Sequence, residues 1–218
     1  MPILAPSLQV MRLADDLIQS INIARNNWSD WRDVFEHRGS VADNPLLANQ
    51  KRFVHFLREY SVGRTIRAGT HEELRIKLAA SENVFLDDTG DAIDELERNL
   101  RDHFGTHDGR NRLISALSKV AAFIRPERFV ACDSFAKKGL NIVHGHAASR
   151  KFGTYADYLA MFDGAWNGEL GREVRDYMEN EAQCEAEMEP RFQRRILDVC
   201  LMALGDRWKK NKWLSKNS

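Results

Sequence analysis

Nothing in this 218-residue chain is long and apolar enough to cross a bilayer. A spanning helix needs about 18 to 20 consecutive apolar residues, and the hydrophobic positions here are interrupted by charge well before that. The N-terminal stretch "MPILAPSLQVMRLADD" has no basic start ahead of its apolar residues and turns acidic at Asp15. A secretory leader is therefore not expected. Cysteine is scarce: Cys132, Cys184 and Cys200 are odd in number and unevenly placed, and they give no zinc-type spacing. A reducing cytoplasm is the compartment that fits. Net charge is also absent, with 32 basic and 32 acidic side chains, so the whole molecule is no generic polyanion binder.

Several motifs are missing too. The chain has no Walker-type GKS or GKT, no dinucleotide-type glycine fingerprint, no HExxH and no GxSxG. Hydrolase, kinase and redox readings built on those motifs are disfavoured. No internal repeat, low-complexity linker or alternating strand pattern is present either.

What remains is helical periodicity, nearly end to end. A first helix is expected over about Leu8 to Asn27, with a short one after Ser29 carrying Asp30 and Asp33 in its first turns. Asn44-Pro45 is a cap followed by proline at the first helical position, opening a helix that turns Leu46, Phe53, Leu57 and Tyr60 inward. "THEE" at 70–73 has the form of a capping box, Thr70 as cap and Glu73 reaching back. Ile93, Leu96, Leu100 and Phe104 make one apolar stripe, and Leu113, Leu117, Val120 and Ile124 make the next. Thr154 and Asp157 cap a helix holding Tyr155, Tyr158, Leu159, Phe162 and Trp166. Pro190 opens the last one, with Phe192, Ile196, Val199, Cys200 and Leu204 inward. The class is all-α: a compact bundle of about nine helices in a single domain, with room for two closely packed helical subdomains.

Charge is unevenly distributed. Glu169 to Glu189 holds eight acids against Arg172 and Arg175, whereas the tail, residues 206–218, holds five cations and one acid. One face for an anionic partner follows, with the acidic segment turned elsewhere. The histidine pairs His144/His146 and His103/His107 lack the further ligands a metal centre needs, so no metal is expected.

Two constellations carry chemistry. "RDVFEH" at 32–37 places Arg32 and His37 with four residues between them. It resembles the arginine–histidine motif of HEPN-domain ribonucleases, which are also small and all-α. The resemblance implies that His37 handles protons and Arg32 stabilises phosphorane charge. "RDHFGTH" at 101–107 fits the looser form of the same motif.

The second lies in residues 90–145. A helix runs into "GTHDG", a glycine turn at 105–109. Arg112, Ser115 and Lys119 then share the polar side of the next helix. Pro126 ends that helix, "ERFVAC" crosses the domain, and Asp133 stands before "SFAKKGL" as an N-cap. A capped carboxylate has a fixed rotamer, which suits a catalytic role as well as a structural one.

This order of helix, glycine turn, helix with lysine, proline-containing crossing and aspartate at a helix start resembles the helix-hairpin-helix DNA glycosylase superfamily. That group includes the endonuclease III and 8-oxoguanine glycosylase types. The likeness covers about a quarter of the chain. It implies that residues 90–104 and 110–124 form an antiparallel helical hairpin gripping a DNA phosphate. Asp133 would stabilise the sugar cation, and Lys119 could match the Schiff-base lysine of bifunctional members. No cysteine set for an iron–sulfur cluster exists, so no cofactor is implied. Flipping a damaged or modified base out of the duplex would serve repair or defence against modified foreign DNA. Phosphates would be held by Arg112, Ser115, Arg125, Arg128, Lys137 and Lys138, and by Lys209, Lys210 and Lys212 of the tail. Trp28, Trp31 and Trp166 are the candidate walls of a base pocket. A third reading is a non-catalytic helical adaptor that uses the acidic 169–189 segment.

Overall fold

The computed structural model describes residues 6–87, 89–105 and 113–217, with side chains described between 17 and 206. Among the described residues there are thirteen α-helices, nine of them seven residues or longer, and no strand. In chain order they are α1 (Pro6–Asp30), α2 (Arg32–Phe35), α3 (Pro45–Ala48), α4 (Gln50–Glu59), α5 (His71–Ala79), α6 (Glu82–Leu86), α7 (Gly90–Phe104), α8 (Ile114–Ile124), α9 (Ser134–Val143), α10 (Tyr155–Asn167), α11 (Glu169–Glu181), α12 (Glu185–Met188) and α13 (Pro190–Asn217). The all-α expectation holds, and no described helix is long and apolar enough to cross a membrane. The chain divides into two compact units.

One unit comprises Trp31–Cys132 and Phe152–Ala160. Asn44 caps α3 by accepting the Leu46 N–H at 3.0 Å, and Pro45 follows at the first helical position. The single helix expected from there breaks at Asn49, whose extended backbone ends α3 and whose side chain accepts from Arg52 N–H to start α4. Asparagine competes well at such a point, because its side chain replaces the amide bonds that a continuing helix would have made. Trp31, expected inside a helix opening after Ser29, instead links α1, which runs to Asp30, to the short α2. The core is aromatic. Phe123 of α8 meets Phe35 at 4.6 Å, Tyr60 at 4.8 Å, Phe56 at 4.9 Å and Trp31 at 5.6 Å between ring centroids. Edge-on and tilted contacts of this kind add about 0.5–1.5 kcal/mol per pair beyond burial.

The two apolar stripes read from the sequence bring α7 and α8 together, with Ile93, Leu96, Leu117 and Val120 buried. The turn between these helices, "THDGRN", lies outside the described residues, and so does Arg112. The box at Thr70 and Glu73 does not form. The Thr70 hydroxyl donates to the Arg67 carbonyl instead, and Glu73 pairs with His103 at 3.0 Å. A complete box occurs at α10: the Asp157 N–H donates to Thr154 Oγ1 at 3.0 Å, and the Thr154 N–H donates to Asp157 Oδ2 at 3.2 Å. Asp94 of α7 reinforces it, one carboxylate oxygen accepting from the Tyr155 amide and the other from the Ala156 amide, both at 2.9 Å.

The other unit comprises Met1–Asp30, Asp133–Lys151 and Met161–Ser218. Its centre is the pair α9 and α13. A Cβ added at Gly139 would sit 2.0 Å from the Leu201 carbonyl oxygen, and one at Gly205 would sit 2.0 Å from the Phe135 carbonyl oxygen. Glycine at both points is what lets the backbones touch. Four residues forward along α9 correspond to four backward along α13, so the pair is antiparallel. The α1 helix packs on α13 through Leu17, Ile21, Ala24 and Trp28, at helical spacing. Inward positions on α13 match expectation for Phe192, Ile196, Val199 and Cys200. Leu204 is only half-buried, because Leu201 and Gly205 take the inward places.

Candidate functional site

The crossing segment after α8 is neither helix nor strand, yet Phe129, Val130, Ala131 and Cys132 are all buried. Buried backbone groups must be paired, and here three hydroxyls do it. Tyr155 Oη accepts from the Val130 N–H at 3.2 Å and donates to the Val130 carbonyl at 2.8 Å. Tyr158 Oη donates to the Ala131 carbonyl at 3.0 Å, and Ser118 Oγ accepts from the Cys132 N–H at 3.0 Å. The sequence places both tyrosines on the helix after Thr154 without showing what their hydroxyls meet, and it gives Ser118 no role. The signal for Ser118 was a hydroxyl placed in the middle of an apolar helical face, where a polar group survives only with a dedicated partner.

Asp133 follows directly. Its backbone is extended (φ −98°, ψ 154°), and its carboxylate accepts the Phe135 N–H at 2.7 Å, so it is the N-cap of α9. The side chain is half-buried. Lys137 and Lys138 lie one turn on, both half-buried, with the Lys138 ammonium 5.1 Å from the Phe135 ring centroid. The direction of α13 matters here. Past Gly205, which abuts Phe135, its backbone continues twelve residues to Asn217. At 1.5 Å per residue that is about 18 Å of helix running beyond the start of α9. This stretch carries Arg207, Lys209, Lys210, Lys212 and Lys216. The carboxylate cap and the basic helix therefore share one end of the α9–α13 pair; the side chains of the basic stretch lie outside the description.

Lys119 belongs to the aromatic unit. Its ammonium donates to the Tyr60 carbonyl at 3.1 Å, closing the end of α4. Ser115 is half-buried, and its carbonyl accepts from the Ser118 hydroxyl. Arg125 ends α8, its carbonyl accepting from the Arg128 and Phe129 amides, while the Arg128 side chain is exposed.

The three tryptophans lie in the cores. Trp28 is 5% exposed, edge-on to Phe192 and beneath the Arg191 guanidinium. Trp31 is 2% exposed, packed by Phe56, Tyr60 and Phe123, and its indole N–H donates to Glu59 at 3.3 Å. Trp166 is 9% exposed, with the Arg175 and Arg194 guanidinium groups 4.7 and 5.9 Å from its ring centroid. Trp28 and Trp166 belong to one unit and Trp31 to the other.

The arginine–histidine pair is engaged locally. Arg32 reaches Glu36 at 3.3 Å, and His37 Nε2–H donates to the Ser40 carbonyl at 3.0 Å. In the looser form of that motif, at 101–107, Arg101 pairs with Glu97, and His107 lies outside the described residues. Among the described residues no group of three His, Cys, Asp or Glu side chains is placed to hold a metal ion. Burial pushes the Cys200 thiol up to about 11, partly offset by the Ser20 hydroxyl. In the acidic segment, Glu187 is buried against Arg25 at 2.8 Å and Glu189 pairs with Arg191 at 2.6 Å. Glu169, Asp176, Glu179, Glu181 and Glu185 are exposed.

Set against protein-family models, curated proteins and solved structures, the chain matches none.

Proposed function

We propose that this protein is a DNA glycosylase that flips a modified or damaged base out of the stack and hydrolyses its N-glycosidic bond. The observation that carries the reading is the shared end of the α9–α13 pair, with a half-buried capping carboxylate beside a helix rich in lysine. A cation develops on the sugar as the bond breaks, and a carboxylate whose rotamer is already fixed by the Phe135 amide stabilises it without reorganisation. The same oxygen pair orients or deprotonates the attacking water. Lys209, Lys210 and Lys212 hold phosphates, bringing the duplex to the carboxylate. Asp133 alone carries the hydrolysis in this reading, a monofunctional enzyme in which Lys119, donating to the Tyr60 carbonyl, has a positioning role.

The test is abasic-site formation in duplex DNA carrying modified or damaged bases, with single-stranded RNA in parallel. Asp133→Asn keeps an oxygen for the Phe135 amide but removes the charge. Base release should fall at least about a hundredfold, roughly 2.7 kcal/mol of barrier, while binding persists. An Asp133→Asn protein with full activity would reduce Asp133 to a cap and end the glycosylase reading. Scission of RNA that depends on His37 would replace it with the ribonuclease.

A further inference from the structure

From Ser134 to Ala156 the chain has 23 consecutive residues without an acid, the longest such run in a sequence with 32 acids. That run includes α9 and the loop after it. Its cations are Lys137, Lys138, Arg150 and Lys151, joined by His144 and His146. The two lysines are half-buried on α9, and the four loop residues are exposed. No carboxylate among the described residues pairs with Lys137, Arg150 or Lys151.

The loop is ordered by its own chemistry. The α9 helix ends in a Schellman motif: the Gly145 N–H donates to the Ile142 carbonyl at 3.0 Å, and the His146 N–H donates to the Asn141 carbonyl at 2.7 Å. Gly145 has the positive φ of 68° which that ending requires. Asn141, fully buried, donates its side-chain amide to the Arg150 carbonyl at 3.0 Å, and the Arg150 N–H closes a turn onto Ala147 at 2.8 Å. His144 Nε2–H donates to the Met161 carbonyl at 3.0 Å, and its ring stacks 6.4 Å from that of His146. A buried asparagine and a left-handed glycine thus hold exposed cations in a fixed loop. Solvated lysines on a floppy segment need no such support.

We propose that α9 and this loop form a docking strip for the phosphate backbone of duplex DNA, continuing the basic end of α13 along the length of α9. The inference rests on the function proposed above. At 1.5 Å per residue, the ten residues of α9 span about 15 Å. Duplex DNA carries one phosphate charge per about 1.7 Å of axis, so the strip covers roughly four to five base pairs. Asp133 then lies at the middle of the bound site, with phosphates held by the basic helix on one side of it and by the loop on the other. Two points of attachment resist the torque of rotating one nucleotide out, which a single patch would not.

The experiment measures binding of a short labelled DNA duplex, and of an RNA of the same sequence in parallel, to the whole protein across a salt series, alongside base release from the DNA. Arg150→Gln with Lys151→Gln removes two exposed cations without touching the core. The log–log salt slope should fall by about 1.8, and affinity near physiological salt by about tenfold or more. Arg172→Gln, an exposed cation on α11, should leave the slope in place. An unchanged slope in the double variant overturns the strip, and loop dependence confined to RNA overturns its assignment to DNA. Base release with no loop dependence sinks this inference alone. Loop-dependent duplex binding without base release sustains the strip and sinks the glycosylase reading.

Discussion

Replacing Gly139 by alanine sets a methyl carbon 2.0 Å from the Leu201 carbonyl oxygen, where ordinary contact begins near 3.4 Å. The helices α9 and α13 must therefore part locally by about 1.4 Å, or α9 must bend. Overpacking of this kind costs about 1–3 kcal/mol and sometimes more, and here the obstacle is backbone that cannot swing aside as a side chain would. Alanine returns up to about 1 kcal/mol in helix propensity, which leaves a net loss of up to about 2 kcal/mol, and more where the backbone cannot yield. Gly205→Ala, meeting the Phe135 carbonyl at the same 2.0 Å, should cost as much. Gly164→Ala is the control. It lies within α10, its nearest neighbour would be the His144 ring at 3.7 Å, and there alanine should stabilise by about 0.5–1 kcal/mol. Urea unfolding of the three variants reads the difference directly. Gly139→Ala as stable as Gly164→Ala would mean that the two helices are not in backbone contact, and the argument that places the basic helix beside Asp133 would fall with it.

Other perturbations follow from named contacts. Ser118→Ala strands the buried Cys132 N–H and should cost about 1–3 kcal/mol by denaturant titration; an unaffected midpoint would refute the pairing. Lys119→Ala should lower base release at most about tenfold, through lost positioning, and a borohydride-trapped adduct that needs Lys119 would contradict that. The Arg25 guanidinium holds the Glu187 carboxyl below its usual range, so the stability it contributes is present above about pH 4.3 and lost as pH falls further. Glu187→Gln should cost about 1–3 kcal/mol at neutral pH and flatten the acid limb of a melting-temperature profile. Burial first, then Glu169 and Asp176, raises the Glu173 carboxyl, so its contribution is present at acid pH and lost as pH rises through the folded value. Glu173→Gln should accordingly raise the melting temperature slightly at neutral pH and leave it alone near pH 4.

The helical class, the stripes of α7 and α8, the Asn44-Pro45 start, the Thr154–Asp157 box and the Asp133 cap were all legible in the sequence. Each depends on residues within a few positions of one another, where helical geometry alone fixes who meets whom. The failures at Thr70 and Asn49 are also local, and show competition: a threonine hydroxyl has more than one carbonyl in reach, and an asparagine can end one helix as readily as begin another. The surroundings of the three tryptophans could not be read this way. Trp28, Trp31 and Trp166 look alike in sequence, and only tertiary packing buries Trp28 and Trp166 in one unit and Trp31 in the other. Nor could the partnership of Gly139 with Leu201, or of Asn141 with Arg150, be foreseen. Periodicity says which side of a helix faces inward, but the identity and direction of the element it faces come from long-range packing. That packing decided the most consequential point, that α13 runs antiparallel to α9 and carries the lysines of its last turns beyond Asp133.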